Sequence, residues 1–276
     1  MVTPLISPDD LAGAMAAAST PALLDVRWSL AAGALVDEYR RGHIPGARFV
    51  DLDRELAGPP GPGRHPLPAA DAFGAAMRAH GVSAGRSVVV YDARTGAAAA
   101  RLWWLLRFFG HADVRQLDGG LARWVAEGRP VSTDDPPREQ GDFRPDPGHM
   151  PLVDAAGAAR LAAAGVLLDA RAAERFRGEV EPVDPVAGHI PGARSAPTEE
   201  NLEPDGRFRD PVRLRERFAS LGAAEANVGV YCGSGVTAAH EVLALAVAGL
   251  PVPALYAGSW SDWITHPGRR VARGPR

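Results

Sequence analysis

The sequence predicts an α/β protein made of two copies of one domain, each a mainly parallel sheet with helices on both faces. Three observations predict it. Short segments recur in the same order in both halves, at a separation of about 140 residues. Continuous apolar runs alternate with helical patterns throughout, as parallel strands buried on both faces do. A proline-rich stretch divides the two halves.

The repeats can be followed along the chain. Ala22-Leu23-Leu24-Asp25-Val26-Arg27 returns as Val166-Leu167-Leu168-Asp169-Ala170-Arg171, and Gly42-His43-Ile44-Pro45-Gly46-Ala47-Arg48 returns unchanged as Gly188 to Arg194. Val88-Val89-Val90-Tyr91-Asp92 aligns with Val228-Gly229-Val230-Tyr231-Cys232, and Leu117 to Gly120 with Trp124 aligns with Tyr256 to Ser259 with Trp263. Ser87 to Tyr91 is expected as a strand, followed by a helix from Ala97 to Phe109 that Gly110 closes. In that helix Trp103, Trp104, Phe108 and Phe109 fall at helical spacing and are expected in the core. Five prolines between Val131 and Pro151 cannot continue a helix or a central strand. The expected domains are therefore residues 1–130 and 152–276, with 131–151 as linker. Residues 57–68, AGPPGPGRHPLP, form an irregular loop expected to belong to the first half, of a length that often carries function.

Composition narrows the function. Of 276 residues, 46% are hydrophobic and 23% charged, and the net charge of −3 provides no basic field for nucleic acid or an acidic membrane. All 30 basic residues are arginine, which excludes a Schiff-base lysine and a P-loop lysine. The start, MVTPLISPDD, lacks the basic and apolar regions of a signal peptide, and Pro251 and Pro253 break the longest apolar stretch. A soluble, cytoplasmic protein is expected, with neither membrane nor nucleic acid as partner. The single cysteine cannot form an internal disulfide and stays free in a reducing compartment. Eight histidines and one cysteine show no close ligand spacing, so neither a metal nor another cofactor is expected.

That cysteine lies in Tyr231-Cys232-Gly233-Ser234-Gly235-Val236-Thr237-Ala238. Tyr231 ends a strand, Gly233 and Gly235 let the backbone curl, and a helix begins near Thr237. Curled N–H groups at a helix N-terminus form an anion nest, a setting that favours thiolate over thiol. A cysteine buried only for packing has no need of adjacent glycines.

The duplicated plan, the Gly-His-Ile-Pro-Gly-Ala segments and Cys-Gly-Ser-Gly-Val-Thr-Ala resemble the tandem-domain rhodanese family of sulfurtransferases. The loop is most similar to the 3-mercaptopyruvate sulfurtransferase branch. The resemblance implies two rhodanese-like domains and a cysteine that takes sulfur from a donor, holds it as a persulfide and passes it to an acceptor. The acceptor would be a thiol or cyanide, with thioredoxin among the candidates. Asp92 replaces the cysteine in the first half, so that domain is expected to be inactive.

The resemblance further implies a relay in which Asp53 orients His65, and His65 polarises Ser234 beside Cys232. Substrate and sulfur would meet Gly233, Gly235, Val236 and Thr237, with Arg175 on the donor's carboxylate. A second arginine that the family carries shortly before this motif is missing. The chain has Glu181-Pro182-Val183-Asp184-Pro185 there, leaving Arg177 or Arg64 as substitutes. The uncharged loop favours mercaptopyruvate over thiosulfate. Thiosulfate:cyanide transfer and a non-catalytic sulfur-relay module are the alternatives. A cysteine phosphatase would need an arginine where the chain has Ala238. His43 and His189 occur in both halves and are expected to be structural. His111 and His240 are expected at a helix end or helix surface, and Trp260 and Trp263 in the core or lining the site.

Overall fold

Val88–Tyr91 forms the central strand of one five-stranded sheet, and Val228–Tyr231 the central strand of another. The computed structural model describes every residue except 1, 2, 18, 19, 60, 138, 139, 226 and 276, so Pro60 of the irregular loop and Arg138 and Glu139 of the expected linker lie outside the described residues. The first sheet runs Leu5–Ile6, Val114–Leu117, Val88–Tyr91, Ala22–Asp25, Arg48–Phe49. The second runs Leu152–Val153, Ala254–Tyr256, Val228–Tyr231, Val166–Asp169, Arg194–Ser195. Each is parallel throughout, and the strand order is the same in both. Even the register agrees: Asp25 lies beside Tyr91, and Asp169 beside Tyr231. A short antiparallel pair, Trp28–Ser29 with Gly33–Ala34, has no such counterpart among the described residues.

The parallel arrangement follows from the residues. Side chains alternate across a strand, so a strand buried at every position needs cover on both faces. Ala22–Asp25, Val88–Tyr91 and Val166–Asp169 are buried throughout. In the second sheet Leu167 and Tyr231 share a core with Phe176, Ile190, Trp260 and Trp263. Trp260 and Trp263 are thus core residues, and their indole N–H groups donate to the carbonyls of Val186 and Arg270. Trp103 and Trp104 are likewise buried in the helix Ala97–Phe108, with Trp104 stacked on Phe108.

The repeated motif is a strap around each sheet. Arg27 and Arg171 pair with Asp25 and Asp169 and reach the carbonyls of Gly42 and Gly188 at 2.8 and 2.7 Å. The hydroxyls of Tyr91 and Tyr231 accept the N–H groups of Ile44 and Ile190, each at 3.1 Å. His43 and His189 are fully buried, stack on Tyr39 and Phe176, and bond the carbonyls of those same residues through Nδ1. Their role is to hold the strap. His111 follows its helix and is buried with Nε2 on the Ser83 carbonyl. His240 differs from expectation: it lies within the helix Val236–Val247 and is buried, because that helix is enclosed by apolar neighbours on most of its surface.

The compact units depart from the two halves of the chain. One comprises residues 1–58, 68–149 and 204–208, and the other 59–67, 150–203 and 209–276. Most of the expected linker belongs with the first unit. His43 and Ser132 exchange two backbone hydrogen bonds, and Phe143 is buried edge-on against Phe73. The irregular segment 59–67, expected in the first half, belongs with the second unit. Among the described residues no helix is long and apolar enough to cross a membrane.

The second unit also buries a charged side chain in one of its helices. Glu241, inside the helix Val236–Val247, accepts from Arg217 at 2.8 Å and from Asn201 at 2.6 Å, and Arg217 also bonds the Pro197 carbonyl. Burial raises the Glu241 carboxyl above its ordinary range, against the pull of Arg217. Arg217→Met should cost about 3–5 kcal/mol, since it strands a buried carboxylate. A raised carboxyl binds more protons folded than unfolded, so stability falls as pH rises through its folded value. The deficit should shrink in urea titrations at acid pH, and Glu241→Gln in the same background should recover part of it.

Candidate active site

Cys232 lies just beyond the carboxyl end of the central strand Val228–Tyr231, ahead of the helix Val236–Val247. Open parallel sheets present ligand sites at such ends. The residue is buried. Gly235 caps the helix at φ +81°, where a methyl group would come within 2.5 Å of the Ala257 carbonyl oxygen, so only glycine fits without strain. From there its N–H donates to Cys232 Sγ at 3.1 Å.

The loop is held on its other side by the segment after Tyr256. Cys232 N–H donates to Ser259 Oγ at 3.0 Å, and Ser259 donates in turn to the Tyr256 carbonyl. Trp260 and Ser261 donate backbone N–H groups to the carbonyls of Cys232 and Gly233. Ser259 adopts φ +55°, an uncommon conformation for a residue other than glycine; the matching residue of the first unit is Gly120, at φ +58°. The two hydrogen bonds of the hydroxyl account for a serine there. Nothing in the sequence distinguished Ser259 beyond its place in the repeat.

The first unit displays what such a loop can hold. Asp92 stands where the second unit has Cys232. Its carboxylate accepts the N–H groups of Arg94 and Gly96 through one oxygen, at 3.0 and 2.9 Å, and those of Ala98 and Ala99 through the other, at 3.2 and 3.4 Å. Gly96 caps its helix as Gly235 does, at φ +76°. Burial raises the Asp92 carboxyl despite these donors. The nest expected from the glycine pattern thus holds an acidic side chain in one unit and a thiol in the other.

Beside Cys232, Ser234 Oγ lies 2.7 Å from His65 Nδ1, and both side chains are buried. His65 belongs to 59–67, and that segment is fastened within the second unit. The Arg64 N–H donates to Ser261 Oγ, and Gly63, at φ +85°, brings the backbone against Gly258. Ser234 and His65 are therefore paired within the second unit, two residues along the loop from Cys232. Asp53 lies in the other compact unit, in the short helix Leu52–Glu55, where both its carboxylate oxygens accept from Trp28 Nε1.

Arg175 is placed against the same loop. A methyl group built on Gly233 would lie 2.7 Å from Arg64 Nη2 and 3.8 Å from Arg175 Nη1 and Nη2. Arg175 donates to Glu181 at 2.6 Å and to Asp184 at 3.2 Å, and Arg64 Nη1 pairs with the other oxygen of Asp184. Burial disfavours charge on Glu181, yet bonds from Arg175 and from the backbone of Asp184 and Val183 hold its carboxyl below the ordinary range. Asp184 is pushed upward by burial, which outweighs its two arginines. Of the two substitutes considered for the missing arginine, Arg64 is in this cluster. Arg177 instead pairs with Glu179 at the surface. The acids Glu181 and Asp184 carried no signal of their own in the sequence, because their partners are set by how the loop folds back.

The chain is similar to known proteins over most of its length. A family model for the rhodanese-like domain matches residues 7–127 and 154–266. A Pseudomonas aeruginosa protein named "Probable 3-mercaptopyruvate sulfurtransferase" is 49% identical over 263 residues, covering 91% of this chain and 92% of the relative. SseB of Mycobacterium tuberculosis, provisionally named a thiosulfate sulfurtransferase, is 44% identical over 283 residues, covering 98% and 97%. The crystal structure of SseA from Escherichia coli, described as a 3-mercaptopyruvate sulfotransferase with the rhodanese fold, superposes with a TM-score of 0.83 at 32% identity, over 94% of this chain and 99% of that one.

Proposed function

Since the chain belongs to the rhodanese-like domain family, with a match in each half, we propose that it is a sulfurtransferase moving sulfur from 3-mercaptopyruvate to a thiophilic acceptor through a persulfide on Cys232. The observation that carries this reading is the thiol in its nest, beside the Ser234–His65 pair.

The chemistry balances in two steps. The Cys232 thiolate attacks the sulfur of mercaptopyruvate, the carbon–sulfur bond breaks, and its electron pair leaves on carbon as the enolate of pyruvate. Ser234, polarised by His65, delivers the proton that converts the enolate to pyruvate. The acceptor's nucleophile then attacks the outer sulfur, breaks the sulfur–sulfur bond and returns the thiolate. A thiol acceptor leaves as a persulfide and cyanide as thiocyanate; reduced thioredoxin in a cytoplasm would serve as well.

The nest does its work on the persulfide. Its outer sulfur stands about 2 Å beyond Sγ. Asp92 shows the corresponding reach in the first unit, where its second oxygen bonds the first-turn N–H groups of Ala98 and Ala99. With Gly96 matched to Gly235, the equivalent donors are Thr237 and Ala238, which would bind the anionic sulfur as helix N-termini bind anions. Asp92 already occupies the first nest and has no sulfur to exchange, so that domain is read as inactive.

The name of the Mycobacterium tuberculosis relative points to thiosulfate as donor. Gly233, Ser234 and Gly235 bring no charge to meet a dianion, which favours the monocarboxylate. The reading is tested by exposing purified protein to mercaptopyruvate alone. One pyruvate should appear per protein, and intact mass should show one added sulfur on the peptide carrying Cys232. Protein that releases no pyruvate until another protein is supplied would instead be a relay module.

A further inference from the structure

We propose that Arg64 supplies the second guanidinium for the donor's carboxylate, side by side with Arg175, and that Asp184 holds the two in place. This deepens the sulfurtransferase reading and rests on it. The segment from Glu181 to Pro185 contains no arginine, but its acids select where arginines come to rest. Asp184 bonds Arg64 through one carboxylate oxygen and Arg175 through the other, so a single buried carboxylate spans both cations.

The atoms left over face the cysteine loop. Nη1 of Arg64 is engaged by Asp184. The side edge of a guanidinium, Nε with Nη2, is the fork that grips a carboxylate by two parallel bonds. In Arg64, Nε is buried with no hydrogen-bond partner among the described residues, and Nη2 is the atom that a methyl on Gly233 would meet first. A buried donor without an acceptor is costly, and a ligand oxygen would relieve that cost. In Arg175, Nε and Nη2 are held by Glu181 and Asp184, and Nη1 lies toward the same glycine. A carboxylate held between them would lie against Gly233, the neighbour of Cys232 in the loop.

Charge supports the choice of ligand. Arg64 and Arg175 are opposed by Glu181 and Asp184, so the cluster has little net charge and recognises by geometry. A planar monocarboxylate suits such a cluster better than a dianion, which would bring a second uncompensated charge into a buried place. Arginine also cannot be replaced by lysine here without loss, because a lysine ammonium has no fork.

The test measures steady-state kinetics of the full-length protein with two donors. Mercaptopyruvate carries the carboxylate, while 1-mercapto-2-propanone keeps the thiol and ketone without it. Arg64→Met should raise KM for mercaptopyruvate about 10- to 100-fold with kcat within about threefold, and leave both constants for mercaptopropanone unchanged. Arg64→Lys should recover part of the loss in KM, and thermal melting of both variants identifies any unfolding. An equal effect on the two donors, or an unchanged KM for mercaptopyruvate in a folded variant, would overturn the role of Arg64. Wild-type protein that forms no persulfide with either donor would overturn the sulfurtransferase reading itself.

Discussion

Cys232→Ser protein incubated with mercaptopyruvate should gain no sulfur and release no pyruvate above the uncatalysed rate, a loss of at least about 10⁴-fold. Serine fits the site, since Cys232 is small and buried and its fastening runs through the backbone: N–H to Ser259, carbonyl to Trp260. The hydroxyl is a far weaker nucleophile than a thiolate and cannot store sulfur in the sulfur–sulfur bond the second step needs. Melting temperature should be close to wild type. A folded variant that still accumulates a persulfide on another atom would displace Cys232 from the mechanism.

Substitution of the Ser234–His65 pair should separate the two donors. Mercaptopyruvate leaves as an enolate that needs a proton, whereas thiosulfate leaves as sulfite, a stable anion that needs none. Ser234→Ala and His65→Asn should each lower kcat with mercaptopyruvate about 10²- to 10³-fold and with thiosulfate by less than about tenfold. Because the groups lie 2.7 Å apart and act as a unit, the double variant should be little worse than either single one. Equal losses with both donors would show the pair to be structural.

Much of the architecture was legible in the sequence because parallel α/β structure leaves local traces. Val88 to Tyr91 is apolar at every position since both faces are covered, and the glycines of the cysteine loop are required by a turn only a few residues long. The duplication removed the remaining ambiguity: each strand assignment in one half had to serve the other. The repeated histidines were recognisable as structural for the same reason. His240 was misjudged because a helix buried nearly all round has no polar face to mark its orientation.

The segment 59–67 was harder to place. Its prolines and glycines announced an irregular loop, but composition does not say to which unit a loop is fastened. That was decided by Arg64 N–H on Ser261 and His65 on Ser234, contacts separated by 197 and 169 residues in sequence. The same holds for Asp184, which pairs across 120 residues with Arg64.

Sequence alone determined the doubled α/β plan, the cysteine in its glycine loop, and the aspartate, Asp92, at the matching place in the first half. These depend on periodicity, turn chemistry and residue identity, which act over a few residues. Tertiary structure alone decided which arginines lie against Gly233, which hydroxyl steadies the cysteine's backbone, and which unit holds His65. Those outcomes depend on distances between groups far apart in the chain, and packing, hydrogen bonding and the pairing of buried charges set such distances only after folding.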